Sequence, residues 1–93
     1  MVPSWHGVRM TRHEKLLHKA LANPASLRFA ELCALAEQLG FVRDRTRGSH
    51  FIFKHRGLLR PLNFQDVHGD AKPFQVRQLL DAARELGLID EEP

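Results

Sequence analysis

Apolar positions recur along this 93-residue chain with two different periods, and the change from one to the other marks out its elements. After Thr11, a first-turn cap with Glu14 three residues on as in a capping box, Leu16, Leu17, Ala20 and Leu21 form a stripe at helical spacing that Asn23-Pro24 ends. Leu32, Leu35, Ala36 and Leu39 then repeat at i, i+3, i+4 and i+7, which predicts a second helix over about 29–39. Gly40 supplies its left-handed cap and Phe41 folds back on the last turn. Beyond this point the period shortens to two. His50, Ile52 and Lys54 alternate with Phe51, Phe53 and His55, so a strand with its phenylalanines inward leaves His50 facing water.

Strands are predicted at 42–45, 50–54 and 59–64, joined by Thr46-Arg47-Gly48-Ser49 and by His55-Arg56-Gly57-Leu58. Connections this short imply an antiparallel meander, and Pro61 assigns the third strand to an edge or a bulge. After a loop over 65–72, Pro73 opens a last helix, with Phe74 packing at its start, Val76, Leu79, Leu80, Ala83 and Leu86 facing inward, and Gly87 at its end. The order predicts an α+β domain: one three-stranded antiparallel sheet with helices on one face and the other face open to a ligand.

Residues 1–10 show no periodicity and carry Pro3 and Gly7, as expected of a flexible arm; 11–89 read as a single domain, and 90–93 as an acidic tail. No apolar run approaches the ~20 residues of a membrane span, and the N-terminus lacks a secretory apolar stretch. A cytoplasmic location without membrane partners follows as the expectation. Cys33 is the only cysteine, so no internal disulfide forms, and its place in a helical apolar pattern marks it as a small buried hydrophobe.

The formal charge of +3 hides an asymmetry. Arg43, Arg45, Arg47, Lys54, Arg56 and Arg60 face only Asp44 in that stretch, a local balance of +5. Such a stripe attracts a polyanion through counterion release from phosphates. A solvated strand face is the alternative.

An open sheet face bearing His50 and Lys54 and bordered by Arg43, Arg45, Arg47 and Arg60 has the parts for RNA phosphodiester cleavage without a metal. A base removes the 2′-hydroxyl proton, cations stabilise the phosphorane charge, and an acid protonates the departing 5′-oxygen. Histidine serves at either end near neutral pH. On spacing alone, a plain surface histidine is the competing reading. Zinc is disfavoured: His50, His55 and His68 come with no cysteine pair, no His-Glu-x-x-His and no carboxylate cluster. His13 and His18, five apart, share no helix face and read as surface residues. Nucleotide hydrolysis and serine chemistry fall away, since there is no glycine-rich phosphate loop and no carboxylate completing a triad with Ser49.

Four runs, Leu39-Gly40-Phe41, Arg47-Gly48-Ser49-His50, Val67-His68-Gly69 and Lys72-Pro73-Phe74-Gln75-Val76-Arg77-Gln78-Leu79-Leu80, together resemble the HicA toxin family, also called YcfA-like proteins. The likeness runs in order and spacing over about 27–86. It implies a double-stranded-RNA-binding-domain-like fold, here with an extra N-terminal helix, and an mRNA-cutting toxin; with the residue chemistry above, no cofactor or metal is expected. The partner it implies is a HicB-like antitoxin on a separate chain. The family's essential histidine falls on His50, and Gly48 shapes its turn. His68 matches a recurrent position whose role is either to shape the loop or to take part in catalysis. Lys72 and Arg77 match basic positions suited to RNA phosphates or antitoxin carboxylates. The expected RNA-binding set is therefore Arg43, Arg45, Arg47, Ser49, Lys54, Arg60, Lys72 and Arg77. Water, His68 and a lysine all stand as the second proton-transfer group. Two rival readings are a non-catalytic RNA-binding module and a protein whose basic face docks an acidic antitoxin. The added N-terminal helix has three candidate roles: enlarging the core, self-association, or altering the antitoxin interface.

Overall fold

A computed structural model describes residues 12–90. The expected arm at 1–10, the Thr11 cap, the His13 side chain and residues 91–93 of the expected tail lie outside what is described. Helix α1 (Arg12–Ala22) ends at Asn23, whose Oδ1 accepts from the Ala25 N–H at 3.1 Å and starts a 3-10 turn, Pro24–Ser26. Ala20 is fully buried, with Leu16 and Leu17 packed against the core, so α1 enlarges the core. The expected stripe is narrower than its spacing predicts, because Leu21 in the last turn is 41% exposed. His18 is exposed, as expected.

Helix α2 (Phe29–Gln38) is tied to α1 through Glu31, whose two carboxylate oxygens each lie 2.9 Å from Lys19 Nζ. Glu31 also accepts the Arg28 N–H at 2.9 Å, which satisfies one of the free donors at the helix start. The Arg28 bond foremost, and then Lys19, hold the Glu31 carboxyl below the ordinary carboxylate range. A carboxyl with a lowered pKa stabilises the fold above its unfolded value, and that contribution fades as pH falls through the lowered one. At the other end Gly40 takes φ +92°, its N–H bonds Glu37 C=O at 3.0 Å, and the Phe41 N–H bonds Ala36 C=O at 2.9 Å. This paired closure turns Phe41 into the core, as its position after Gly40 predicts.

Strands β1 (Val42–Arg47), β2 (His50–Lys54) and β3 (Leu62–Gln65) form an antiparallel sheet in the order β1-β2-β3. The β1–β2 turn is shorter than the expected four residues. Gly48 takes φ +59° and Ser49 stays at negative φ, the pattern of a two-residue type II′ turn, whose twist matches that of the strands it joins. Pairing therefore runs up to Arg47 opposite His50, and Thr46 and Arg47 belong to the strand. The third strand begins at Leu62, later than expected, with Pro61 just before it and Leu59 fully exposed. Proline lacks the N–H that would extend the ladder.

Phe53 and Phe64 are fully buried with ring centroids 5.6 Å apart, and Phe51 sits 4.8 Å from Phe29 of α2. The phenylalanines thus face the helices as predicted. His55 is half-buried against Phe41, and its Nδ1 accepts the Gly57 N–H at 3.0 Å. Helix α3 (Pro73–Glu85) buries Val76, Leu79, Leu80, Ala82 and Ala83. Phe74 does not pack at the start of this helix; it is half-exposed, 5.8 Å from the Lys72 ammonium. Cys33 is buried, which pushes its thiol up to about 11 and leaves it protonated at neutral pH. The α+β class holds, and the succession α2, sheet, α3 is consistent with a double-stranded-RNA-binding-domain-like arrangement. Among the described residues, no helix is long and apolar enough to cross a membrane.

Candidate functional site

Strand pairing sorts the expected site residues between the two faces of the sheet, since residues directly opposite one another share a face. Arg43, Phe53 and Leu62 form one row, and Thr46, Phe51 and Phe64 another, both on the helix side. Arg47, His50 and Gln65 make a row on the other side, which the described residues leave uncovered, with Arg45, Ile52 and Asn63 beside it. The separation of Arg43 from Arg45 and Arg47 corrects the sequence expectation. Strict alternation would align all three, but the register shifts between Arg43 and Arg45, where Asp44 is an extra residue. This bulge turns Arg43 to the helix side, where its guanidinium lies 5.1 Å from the Phe51 ring centroid and 5.7 Å from that of Phe53.

On the uncovered side a shallow recess of about 400 Å³ is lined by Arg45, Arg47, His50, Ile52, Pro61 and Asn63. His50 opens β2 there and is exposed. Its Nδ1 lies 3.1 Å from the side-chain Oδ1 of Asn63, reached diagonally across the β2–β3 pair. Asp44 sits 3.4 Å from both Arg45 Nε and Lys54 Nζ, which offsets part of the basic stripe at that end. Lys54 stands four residues from His50, about 13 Å down the strand. Arg47, directly across from His50, has no ion pair among the described residues. Ser49 is in the turn beside His50, and its carbonyl accepts the Asp66 N–H at 2.9 Å, carrying the β2–β3 ladder one step further.

Other expected residues lie elsewhere. Arg60 is in the β2–β3 connection and lines a separate groove with Gln78, Asp81 and Glu85 of α3. Arg77 is exposed on α3. Lys72, at the N-cap of α3, donates to Gln65 Oε1 at 2.9 Å and so reaches the residue paired with His50. His68 and Gly69 are the central residues of a tight turn closed by mutual hydrogen bonds between Val67 and Asp70. Their φ values of +52° and +86° are those of a type I′ turn, and the His68 side chain is exposed.

Three residues that shape the site were not among those the sequence singled out. Asn63 and Gln65 alternate with Leu62 and Phe64, a signal that would have placed both beside His50. Gln75, only 4% exposed, lies four residues before Leu79 on the buried stripe of α3. Its Oε1 accepts the Gln65 N–H at 3.2 Å, and its Nε2 approaches Asn63 C=O at 3.5 Å. The side-chain amide thus meets backbone groups on the outer edge of β3.

Together these features define a small α+β domain that presents one histidine on an open sheet face, with arginines on one side of it and side-chain amides on the other. Residues 29–88 match the family described as HicA toxin of bacterial toxin-antitoxin, and the chain belongs to that family. Neither the curated proteins nor the solved structures yield a match to it.

Proposed function

We propose that this chain is an endoribonuclease toxin that cuts mRNA, with His50 as its proton-transfer group and no requirement for a metal. The observation that carries this reading is the recess itself, where His50 meets Arg45 and Arg47 on the face the helices leave uncovered. RNA supplies the nucleophile such a site needs, because the 2′-hydroxyl lies next to the phosphate it attacks. His50 takes the 2′-hydroxyl proton, the 2′-oxygen bonds to phosphorus, and the bond from phosphorus to the 5′-oxygen breaks. The leaving oxygen gains a proton from water, His68 or a lysine, giving a 2′,3′-cyclic phosphate and a 5′-hydroxyl end. Arg45 and Arg47 balance the charge that gathers on the phosphoryl oxygens. Lys54, Arg60, Lys72 and Arg77 contribute attraction at longer range, with the Ser49 hydroxyl a further contact beside the cut. Membership of a toxin–antitoxin family supports an antitoxin partner; a HicB-like chain that covers this face, in the cytoplasm, completes the proposal.

The test compares wild type with His50→Ala, both checked for folding by circular dichroism, on single-stranded RNA and on the same strand with 2′-deoxyribose at the cut. Wild type is expected to leave a cyclic phosphate end on RNA alone, and His50→Ala to be slower by a factor on the order of 100 or more. Cleavage that survives in His50→Ala removes His50 from the chemistry. Salt-sensitive binding by wild type without any product identifies a non-catalytic RNA-binding module instead.

A further inference from the structure

The contact between His50 and Asn63 decides which imidazole nitrogen does the work. An amide oxygen only accepts hydrogen bonds, so with the Asn63 amide oriented to place Oδ1 toward the ring, 3.1 Å from His50 Nδ1, the proton belongs on Nδ1. In a neutral ring the lone pair then sits on Nε2. A free neutral histidine side chain in water favours the opposite arrangement, with Nε2 protonated. The carbonyl of Asn63 therefore acts against the intrinsic preference.

We infer that Asn63 is a positioning residue that fixes the tautomer of His50 and so makes Nε2 the atom that accepts the substrate proton. This assignment rests on the ribonuclease reading above. Asn63 is held for the task from the side away from His50. It lies on the outer strand, and the buried Gln75 of α3 approaches its backbone carbonyl while accepting the N–H of Gln65, two residues on. Gln65 in turn stands opposite His50 across the β2–β3 pair and accepts a hydrogen bond from Lys72. The β3 edge is thereby clamped to α3 while its side chains at positions 63 and 65 remain on the open face. Asn63 is itself exposed, so changing its side chain leaves the core intact.

A surface hydrogen bond of ordinary strength shifts a tautomer ratio on the order of fivefold. The readout is the pair of imidazole ¹⁵N shifts of His50, observed through two-bond ¹H–¹⁵N correlations in the uniformly labelled full chain at a pH where the ring is neutral. Wild type is expected to show a clearly larger Nδ1-protonated share than free histidine does. Asn63→Leu should shift the two nitrogens toward the solution preference, and Asn63→Asp, which retains an acceptor oxygen at the same place, should restore the wild-type pattern. In RNA cleavage, Asn63→Leu lowers kcat by roughly twofold to fivefold, the loss of the productive tautomer, with KM unchanged. A His50 tautomer ratio that is the same in wild type and Asn63→Leu, or a wild-type ratio equal to that of free histidine, overturns the assignment. The expected tautomers in a wild type that cuts no RNA overturn the ribonuclease reading while leaving the bond between Asn63 and His50 in place.

Discussion

The two edges of the sheet are built for different tasks. The β3 edge is closed by α3: Gln75 reaches it with a buried amide, and Lys72 adds a bond to Gln65. Along β1, in contrast, all six residues are exposed, and the strand carries a bulge at Asp44 with arginines on both sides of it. Bulges and exposed charge discourage another strand from adding to an open edge. His50 lies on the central strand between the two, drawing its hydrogen bond from the closed side and its nearest arginines from the open side. The difference separates placement from attraction. On the ribonuclease reading proposed above, geometry needed within fractions of an ångström comes from the edge with a buried anchor, and charge, which acts at a distance, comes from the edge without one.

Breaking the anchor is the strongest test of that division. Gln75→Leu fills a similar volume but leaves the Gln65 N–H and the Asn63 carbonyl without their side-chain partner. Unsatisfied groups of this kind cost about 1–3 kcal/mol, so a midpoint value of ~2 kcal/mol corresponds to roughly a thirtyfold change in the folding equilibrium. Urea unfolding should show a lower midpoint at unchanged slope, with faster amide exchange at Gln65. A midpoint equal to that of wild type would mean that water satisfies this edge as well as Gln75 does, and the contrast between the edges would lapse.

What was legible in the sequence follows the same line. The helix ends could be read because Gly40 and Phe41 close α2 through local chemistry, and His50 could be placed on the open face because alternation in β2 needs only its own residues. Arg43 could not be placed, since its face depends on one extra residue in β1, and a bulge leaves no trace in composition. Alternation counted from Arg47 back to Arg43 gives the wrong side. The extent of β1 was also shortened, because Gly48 and Ser49 alone make the turn that Thr46-Arg47-Gly48-Ser49 was expected to form. Gln75 was legible in principle as a polar residue on an apolar stripe, but its purpose lies in the edge groups of β3, far from it in sequence. Pairwise long-range contacts of this kind are what a single chain read in order does not expose.

Attraction from the open edge is tested by comparing arginines on its two faces. In the double variant Arg45→Ala with Arg47→Ala, each lost phosphate contact should reduce the salt slope of single-stranded RNA binding by about 0.7, or about 1.4 in all. Such a slope change alters the loss of affinity between ~50 and ~200 mM salt by roughly sevenfold. Arg43→Ala, on the helix side, should leave the slope unchanged and instead lower stability by about 0.5–1 kcal/mol through loss of its contacts with Phe51 and Phe53. Equal slopes for the double variant and wild type would remove the recess arginines from RNA binding. A reduced slope for Arg43→Ala would mean that RNA wraps the strand rather than lying on one face.

The smallest expected effect is that of His68→Asn, at a position where a turn residue and a proton donor make opposite forecasts. Its φ of +52° belongs to the left-handed region that asparagine also tolerates well, while a β-branched side chain is strained there. The turn matters to the core: Gly69 carbonyl accepts the Phe29 N–H at 2.9 Å at the start of α2, and Asp66 Oδ1 accepts the Gly69 N–H at 2.7 Å. If His68 serves only this turn, His68→Asn leaves stability within about 0.5 kcal/mol and leaves cleavage intact, whereas His68→Val destabilises by about 1–2 kcal/mol. Thermal unfolding of both variants alongside their RNA cleavage rates separates the roles. A folded His68→Asn protein that cuts on the order of 100-fold more slowly makes His68 the donor to the 5′-oxygen. It would also mean that a type I′ turn of fixed geometry delivers one proton while His50 removes the other.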